Sequence, residues 1–215
     1  MSSLIESIKK RIENQFIDQE GSHDWQHILR VYNLAVQIHS KEGGDKEIIE
    51  LAALLHDISD HKYNGGDFDA GWKIAKEIIL EYGGSEILAD NVASVVKIIS
   101  FKGAKVQDEI TSLEGKIVRD ADRLDAIGAI GIARTFAYGG SKNQALYLEN
   151  VSPVMHDSKE AYFHAKTHTI NHFYEKLLLL KDRMETKTAK EIAEVRHQRM
   201  LQFIDEFMSE VNCQS

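Results

Sequence analysis

The sequence predicts an all-α protein, and three observations support this fold class. Proline, the strongest helix breaker, occurs once in 215 residues, at Pro153. Apolar residues recur at helical spacing through most of the chain, and no convincing alternating stretch longer than four residues predicts a β-strand. Glycine pairs are expected to separate the helices; they stand at 43–44, 65–66, 83–84 and 139–140.

Eight helices are predicted, covering residues 2–16, 24–42, 46–57, 70–82, 85–101, 108–137, 159–183 and 188–210. The second helix follows an apolar stripe that runs from Ile28 to Ile38. The third is apolar nearly all round from Ile48 to Leu55, so we expect it to be buried.

The later helices are predicted from stripes that begin at or continue through Ile74, Val92, Leu177 and Ile192. The sixth helix is expected to break near residue 121. After it, residues 138–158 are expected to form a long irregular connection, and connections of that length are often functional. Since no repeat or linker divides the chain, we interpret residues 1–215 as a single domain.

Composition excludes several classes of function. The net charge of −8 argues against a general nucleic-acid-binding surface. The one cysteine, Cys213, allows no disulfide within the chain and favours a reducing, cytoplasmic location. No apolar run approaches the roughly 18 residues of a membrane helix. The acidic residues within the apolar pattern of residues 1–16 argue against a signal peptide.

Histidine and aspartate occur where apolar helix faces are predicted. His56 and Asp57 directly follow the buried third helix, and His27 lies four residues before Val31 on the stripe of the second. Burying an ionisable pair is costly unless it has a partner. For His56 the alternative is a helix end that reaches solvent, where the helix dipole favours a cation. For His27 the alternative is a hydrogen-bonded core histidine.

A further set of carboxylates lies in residues 119–134, where Asp122 and Asp125 share a face with apolar residues. Two carboxylates on an apolar face need a cation, which Arg119 and Arg123 could supply. A metal ion is the alternative source of positive charge.

The joint pattern predicts a metal site with two imidazoles and two carboxylates, formed by His27, His56, Asp57 and Asp122. Such a mixed nitrogen and oxygen site suits Mn²⁺, Fe²⁺, Ni²⁺ or Mg²⁺. Four protein ligands leave positions open on a six-coordinate ion for water and a phosphate oxygen.

The pattern resembles the H…HD…D signature of the HD-domain metal-dependent phosphohydrolases. Its three motifs read SHDWQHILRV at 22–31, AALLHDISDHKY at 52–63 and VRDADRLDAIGAIGIAR at 118–134. The resemblance implies a helical HD core at about 20–137, followed by C-terminal helices at about 159–210. Through HFYEKL and the Arg196-His197 pair, it extends to a small bacterial branch similar to nucleotide pyrophosphohydrolases.

Carried over, the signature assigns the metal ligands as His27, His56, Asp57 and Asp122. Asp120 competes for the last place, but Ala121-Asp122-Arg123 fits the family's order of small residue, aspartate and basic residue. Two-metal members carry further histidines between the HD pair and the last aspartate. This chain has only His61 there, which favours one divalent ion, with Mn²⁺ preferred.

Other residues are candidates for catalysis and substrate binding. Asp60 and Asp125 are predicted to position or deprotonate the attacking water, the alternative for Asp60 being a loop residue or helix cap. The groups predicted to hold substrate phosphates are His23, Lys62, His172 and Lys176. A four-residue spacing predicts one basic helix edge of His164, His168, His172 and Lys176. Its alternative is an exposed face or a subunit contact, which leaves a homodimer open.

The predicted reaction is hydrolysis of a nucleoside or deoxynucleoside triphosphate to a monophosphate and pyrophosphate by metal-activated water. One alternative is a nucleoside 5′-monophosphatase. A second is an alarmone hydrolase, disfavoured because Asp60-His61 stands where those enzymes carry Glu-Asp. A third is a non-catalytic nucleotide-binding regulatory module. The predicted partner is a small phosphorylated molecule, with no nucleic acid and no membrane.

Overall fold

The computed structural model describes residues 3–17, 24–58, 70–100, 112–154 and 167–214. Its helices are α1 (Ser3–Phe16), α2 (Trp25–Glu42), α3 (Lys46–Leu55), α4 (Ala70–Glu81), α5 (Glu86–Ser100), α6 (Leu113–Asp125), α7 (Gly128–Ser141), α8 (Asn171–Glu175), a 3₁₀ helix (Leu177–Arg183) and α9 (Lys187–Val211). No β-strand occurs in the described ranges, so the predicted all-α class is confirmed. No helix within them is long and apolar enough to cross a bilayer.

Internal contacts divide the chain into two compact units, residues 1–122 and 123–215. In the first unit, α3 contacts α1, α2 and α5, and α4 packs on α5. In the second unit, α9 contacts α7 and the 3₁₀ helix. The interpretation of the whole chain as one domain stays a prediction.

Helix α2 begins at a side-chain cap. The Asp24 carboxylate accepts a hydrogen bond from the backbone N–H of His27 at 2.8 Å, which satisfies a donor left free in the first helical turn. The cap therefore fixes His27 at the start of the helix, on the same buried face as Val31. The helix ends at Gly43, whose φ of +81° glycine adopts without penalty, and its N–H bonds to the carbonyl of His39.

Helix α3 is buried, as predicted, over every residue from Ile49 to Leu55. Its one charged buried residue, Glu50, accepts a hydrogen bond from the Tyr32 hydroxyl at 2.8 Å. Burial and the facing carboxylate raise the pKa of Tyr32, so its hydroxyl keeps the proton that it donates. The helix ends at Leu55, two residues earlier than predicted, and His56 and Asp57 follow its last turn.

Helices α4 and α5 pack on each other across the turn at Gly83 and Gly84. Gly83 has a φ of +84°, and the N–H of Gly84 bonds to the carbonyl of Ile79 at 2.9 Å. A Cβ atom on Gly84 would lie 2.4 Å from Cγ2 of Ile79, so the turn needs glycine. The predicted boundary at this glycine pair is confirmed.

The sixth predicted helix is divided, but the break near residue 121 is wrong. Helix α6 runs through that residue to Asp125, and the break lies at 126–127. Gly128 begins α7 with a φ of +78°, a conformation that favours glycine. Apolar residues continue at helical spacing through the break, so the position of the break could not be predicted from periodicity alone. Residues 108–111 of the predicted helix lie outside the described ranges.

The second unit has an aromatic cluster that joins three helices. Phe136 of α7, Phe173 of α8 and Phe203 and Phe207 of α9 have ring centroids 5.6–6.2 Å apart. Tilted and edge-to-face rings at these separations attract beyond the area that they bury. Through this cluster the short α8 packs against the longer helices α7 and α9.

The predicted continuous helix over 159–183 is wrong. The backbone N–H groups of Thr169 and Ile170 bond to the carbonyls of Ala145 and Leu146, at 2.9 and 3.2 Å, instead of continuing a helix. Only the five-residue α8 and the 3₁₀ helix follow. Consequently His168, His172 and Lys176 do not form one edge of a continuous helix. His164 lies outside the described ranges.

The glycine pair at 139–140 was predicted to separate two elements, and this prediction is wrong. Both glycines lie in the last turns of α7. Gly139 serves packing instead. A Cβ atom there would lie 2.5 Å from Oγ1 of Thr169, so glycine allows the helix and this segment to approach closely. The irregular connection accordingly begins at residue 142, four residues later than predicted, and is described as far as residue 154.

Candidate metal centre

Three parts of the first unit bring histidine and aspartate side chains together. His27 comes from the capped first turn of α2, and His56 and Asp57 come from the residues directly after α3. Asp122 comes from the last turn of α6. Because α3 is buried, the two histidines lie deep in the unit, and His27 and His56 as whole residues are 1% and 3% exposed.

The ligand atoms of His27, His56 and Asp57 all lie within 4.8 Å of one another, and Asp122 lies beside the two imidazoles. Nε2 of His27 lies 3.3 Å from Nε2 of His56, and each nitrogen lies 3.3 Å from Oδ2 of Asp57. Oδ1 of Asp122 lies 3.6 Å from Nε2 of His27 and 4.0 Å from Nε2 of His56. Imidazole nitrogens and carboxylate oxygens grouped in this way are donors that suit a divalent transition-metal ion.

The two kinds of donor differ in exposure. The side chains of His27 and His56 are 2% and 1% exposed, whereas those of Asp57 and Asp122 are 13% and 25% exposed. The imidazoles therefore form the closed side of the cluster, and solvent reaches it along the carboxylates.

A hydrogen bond fixes the tautomer that His56 needs as a ligand. Its Nδ1 lies 2.8 Å from the carbonyl oxygen of Ala53, which can only accept, so Nδ1 carries the proton and donates. The neutral ring then has its lone pair on Nε2, the atom that faces His27 and Asp57. Metal-bound histidines characteristically have such a partner on the second ring nitrogen.

Opposing effects act on the charge of His56. Burial lowers its pKa, but the carboxylates of Asp57 and Asp122 raise it, and the net pKa lies above its ordinary value. The two carboxylates therefore favour the protonated form of this imidazole in the metal-free protein. A divalent cation would supply the same positive charge and needs the unprotonated nitrogen, so protons and metal compete for the cluster.

Comparison with known proteins identifies the family. The chain matches the HD domain model over residues 24–127, a range that contains the whole donor cluster. It is 39% identical over 207 residues to YpgQ of Bacillus subtilis, covering 96% of this chain and 93% of YpgQ. The chain belongs to the HD-domain family.

Solved structures of two relatives share the fold. An HD-superfamily hydrolase from Bacillus thuringiensis is 41% identical with a TM-score of 0.78, covering 98% of this chain and 97% of its own. The crystal structure of B. subtilis YpgQ in complex with ADP is 35% identical with a TM-score of 0.76, covering 96% and 94% of the two chains. The chain is therefore an HD-superfamily hydrolase. HD domains bind divalent metal ions, and the His27, His56 and Asp57 donors suit that chemistry.

Asp125, a predicted catalytic residue, belongs to the second unit. It is 1% exposed, and its carboxylate forms an ion pair with Arg134 of α7. The sequence suggested Arg119 or Arg123 as the cation for this face, and the guanidinium of Arg123 donates to the carbonyl of Arg183 at 2.6 Å. The catalytic role of Asp125 stays a prediction.

The second unit also contains two of the predicted phosphate-binding residues. His172 is half-buried and Lys176 is exposed. Burial and the neighbouring Lys176 lower the pKa of His172 to about 4, so its ring is neutral near pH 7. His168 is buried, with Nε2 donating to the carbonyl of Val151 at 3.1 Å, and so it is not part of an exposed basic face.

Three predicted site residues, His23, Asp60 and Lys62, lie outside the described ranges. The structure also reveals two arginines to which sequence reasoning assigned no role. Arg134 is the last residue of the third motif. The carboxylates of the preceding helix need a cationic partner, and this need was the signal that could have identified Arg134. Arg196 belongs to the Arg196-His197 pair of the family resemblance, and its guanidinium donates to the carbonyl of Leu124.

Proposed function

We propose that this hydrolase cleaves a nucleoside or deoxynucleoside triphosphate between its α and β phosphates, releasing a monophosphate and pyrophosphate. The observation that carries the proposal is the cluster of His27, His56 and Asp57 donors at 3.3 Å from one another, with an Asp122 oxygen 3.6–4.0 Å from the two imidazole nitrogens. A nucleotide substrate is favoured because YpgQ, 39% identical to this chain, was crystallised in complex with ADP.

The proposed ligands of one divalent ion, with Mn²⁺ favoured, are His27, His56, Asp57 and Asp122. When bound, the ion lowers the pKa of a coordinated water and neutralises charge on a phosphoryl group. The chain's own contribution is orientation. Asp24 holds the backbone of His27 in the first turn of α2, and the carbonyl of Ala53 orients the ring of His56.

The attacking group in this proposal is water, not a side chain. Cys213 is exposed near the C-terminus, and no serine of the sequence stands in a nucleophile-elbow motif. Asp60 or Asp125 would accept the proton of the attacking water. The Asp125 carboxylate is held in one orientation by its ion pair with Arg134.

Basic and hydrogen-bonding side chains would hold the phosphates, namely His23, Lys62, His172 and Lys176. With a pKa of about 4, His172 is neutral at physiological pH, so it would bind a phosphate oxygen by donating an N–H. Lys176 is exposed and would contribute the charge. Several basic groups exceed the need of one phosphate, and this excess favours a polyphosphate over a monophosphate substrate.

Product analysis in ¹⁸O-water tests the proposal. The protein is incubated with Mn²⁺ and each of the four deoxynucleoside triphosphates and ribonucleoside triphosphates, and the released phosphates are separated. Pyrophosphate as the released product, with ¹⁸O in the monophosphate, is expected because water attacks the α phosphorus.

Other products would overturn the α–β assignment. Orthophosphate or inorganic triphosphate as the main product would place the attack elsewhere on the substrate. Release of orthophosphate from nucleoside monophosphates alone would make the protein a 5′-monophosphatase. Asp57→Ala is the control for contaminating phosphatases, since any activity that it retains does not come from the proposed site.

A further inference from the structure

The C-terminal end of α6 is held by side chains from other helices of the second unit. The last carbonyls of a helix have no partner within it. At this end the N–H groups of Ala126 and Ile127 turn back to the carbonyls of Arg123 and Leu124, each at 3.2 Å. The Leu124 carbonyl also accepts a hydrogen bond from Nη1 of Arg196, which comes from α9.

The path of the Arg196 side chain depends on Gly128. A Cβ atom at Gly128 would lie 2.9 Å from Cγ and 3.0 Å from Cβ of Arg196. Gly128 also has a φ of +78°, so two independent requirements select glycine at this position. The aliphatic part of Arg196 thus lies directly against the break after α6, and its guanidinium reaches the end of that helix.

The last turn of α6 has further anchors. The Asp125 carboxylate pairs with Arg134 of α7, and Arg123 donates to the carbonyl of Arg183 at 2.6 Å. Asp122 lies at the start of this turn, two residues before the carbonyl that Arg196 holds. If the turn frayed, the direction of the Cα–Cβ bond of Asp122 would change.

We propose that Arg196 is a positioning residue for the Asp122 carboxylate. It keeps the last turn of α6 helical through the Leu124 carbonyl and so fixes the direction in which Asp122 points. The inference rests on the proposed metal site, in which Oδ1 of Asp122 lies 3.6 Å from Nε2 of His27. Arg196 acts through the backbone, so its removal leaves all four donors in the chain but places one of them incorrectly.

A double-mutant cycle with Ni²⁺ tests this role. Ni²⁺ binds imidazole more tightly than Mn²⁺ does, so a weakened site remains measurable by calorimetry. Arg196→Met keeps the aliphatic part of the side chain and removes the donor. We expect it to lower Ni²⁺ affinity about tenfold, the lower range for partners that orient metal ligands. In an Asp122→Ala background the same change should lower affinity no further.

Wild-type Ni²⁺ affinity in Arg196→Met, or equal losses in both backgrounds, would overturn the positioning role, whatever happens to the melting temperature. Arg199→Ala is the matched control, since it removes an exposed arginine from the same helix and should bind Ni²⁺ as the wild type does. If Arg196→Met does not fold, Arg196→Gln, whose amide is too short to replace the guanidinium, is measured in the same cycle and judged by the same outcomes.

Failure of the proposed function gives a different result. If the wild type binds Ni²⁺ and Asp57→Ala does not, but no nucleotide is cleaved, then the proposed reaction is wrong and the cycle still decides the role of Arg196. If the wild type and Asp57→Ala bind Ni²⁺ equally, the proposed ligands are wrong, and the positioning role is overturned with them.

Discussion

At the scale of single residues, Asp57 contacts both buried histidines, with Oδ2 at 3.3 Å from each Nε2. We expect Asp57→Ala to abolish Mn²⁺ binding and to lower hydrolysis more than about a hundredfold, since loss of outer-shell partners alone costs about 10–100-fold. Helicity should remain, because the buried residues of α3 precede Asp57. Metal analysis, circular dichroism and turnover measure these effects. Full metal content with retained activity would remove Asp57 from the ligand set. Asp90→Ala, an exposed aspartate of α5, is the control.

Asp125 allows metal binding and proton transfer to be separated. If Asp125 accepts the proton of the attacking water, Asp125→Asn should keep the metal and lower turnover by about 10²–10⁴-fold. Asparagine preserves the shape of the side chain but removes the charge that pairs with Arg134. Metal titration and kcat distinguish three roles. Loss of both metal and rate would make Asp125 a ligand, and an unchanged rate would leave it the structural partner of Arg134.

At the scale of elements, strong periodicity made most helices predictable. Helices α2, α4 and α9 begin and end within one residue of their predicted bounds, which were 24–42, 70–82 and 188–210. Their boundaries depend on local signals, such as the Asp24 cap and the glycines after α2. Local sequence is sufficient in these places because the helix is stabilised by its own buried stripe.

Elements whose backbone bonds to distant segments were not predictable in this way. Thr169 and Ile170 have helical neighbours in sequence, but their N–H groups bond to the connection after α7. The break before Gly128 depends similarly on the side chain of Arg196, 68 positions later in the numbering, at the close approach described above. At the candidate site, residue types predicted which side chains would meet, whereas the Ala53 and Arg134 partners depend on folded geometry.

Gly139 and Gly140 give a matched test of close packing in α7. Gly139→Ala should destabilise the protein by about 1–3 kcal/mol, because the new methyl would overlap Oγ1 of Thr169. Gly140→Ala meets nothing within 4 Å and should be neutral or stabilise by up to about 1 kcal/mol, since alanine favours helix. Urea unfolding measures both. Thr169→Ala should reduce the loss in Gly139→Ala, and equal stability of the two glycine variants would contradict the packing argument.

At the scale of the whole molecule, metal binding should stabilise the fold in a pH-dependent way. The raised pKa of His56 means that its protonation stabilises the metal-free protein at low pH, and this contribution is lost as pH rises through that pKa. Metal binding needs the neutral ring, so the contribution of the bound metal to the stability of the fold grows as pH rises. A Mn²⁺ excess of about a hundredfold over Kd should raise Tm by about 5 °C or more at about pH 8.

The same Mn²⁺ concentration should raise Tm by clearly less at about pH 6, as measured by differential scanning fluorimetry with and without metal. Asp57→Ala is the control and should show no metal-dependent shift at either pH. A shift in the wild type that is equal at both pH values would contradict competition between protons and metal at His56.

The wide spacing of the candidate donors along the chain has a consequence for biosynthesis. His27 and His56 stand 29 residues apart, and Asp122 follows only after α4 and α5. During translation the complete donor set cannot exist until α6 has left the ribosome and the buried α3 has found its neighbours. Binding of one ion by all four proposed ligands therefore has to wait until α6 has been synthesised.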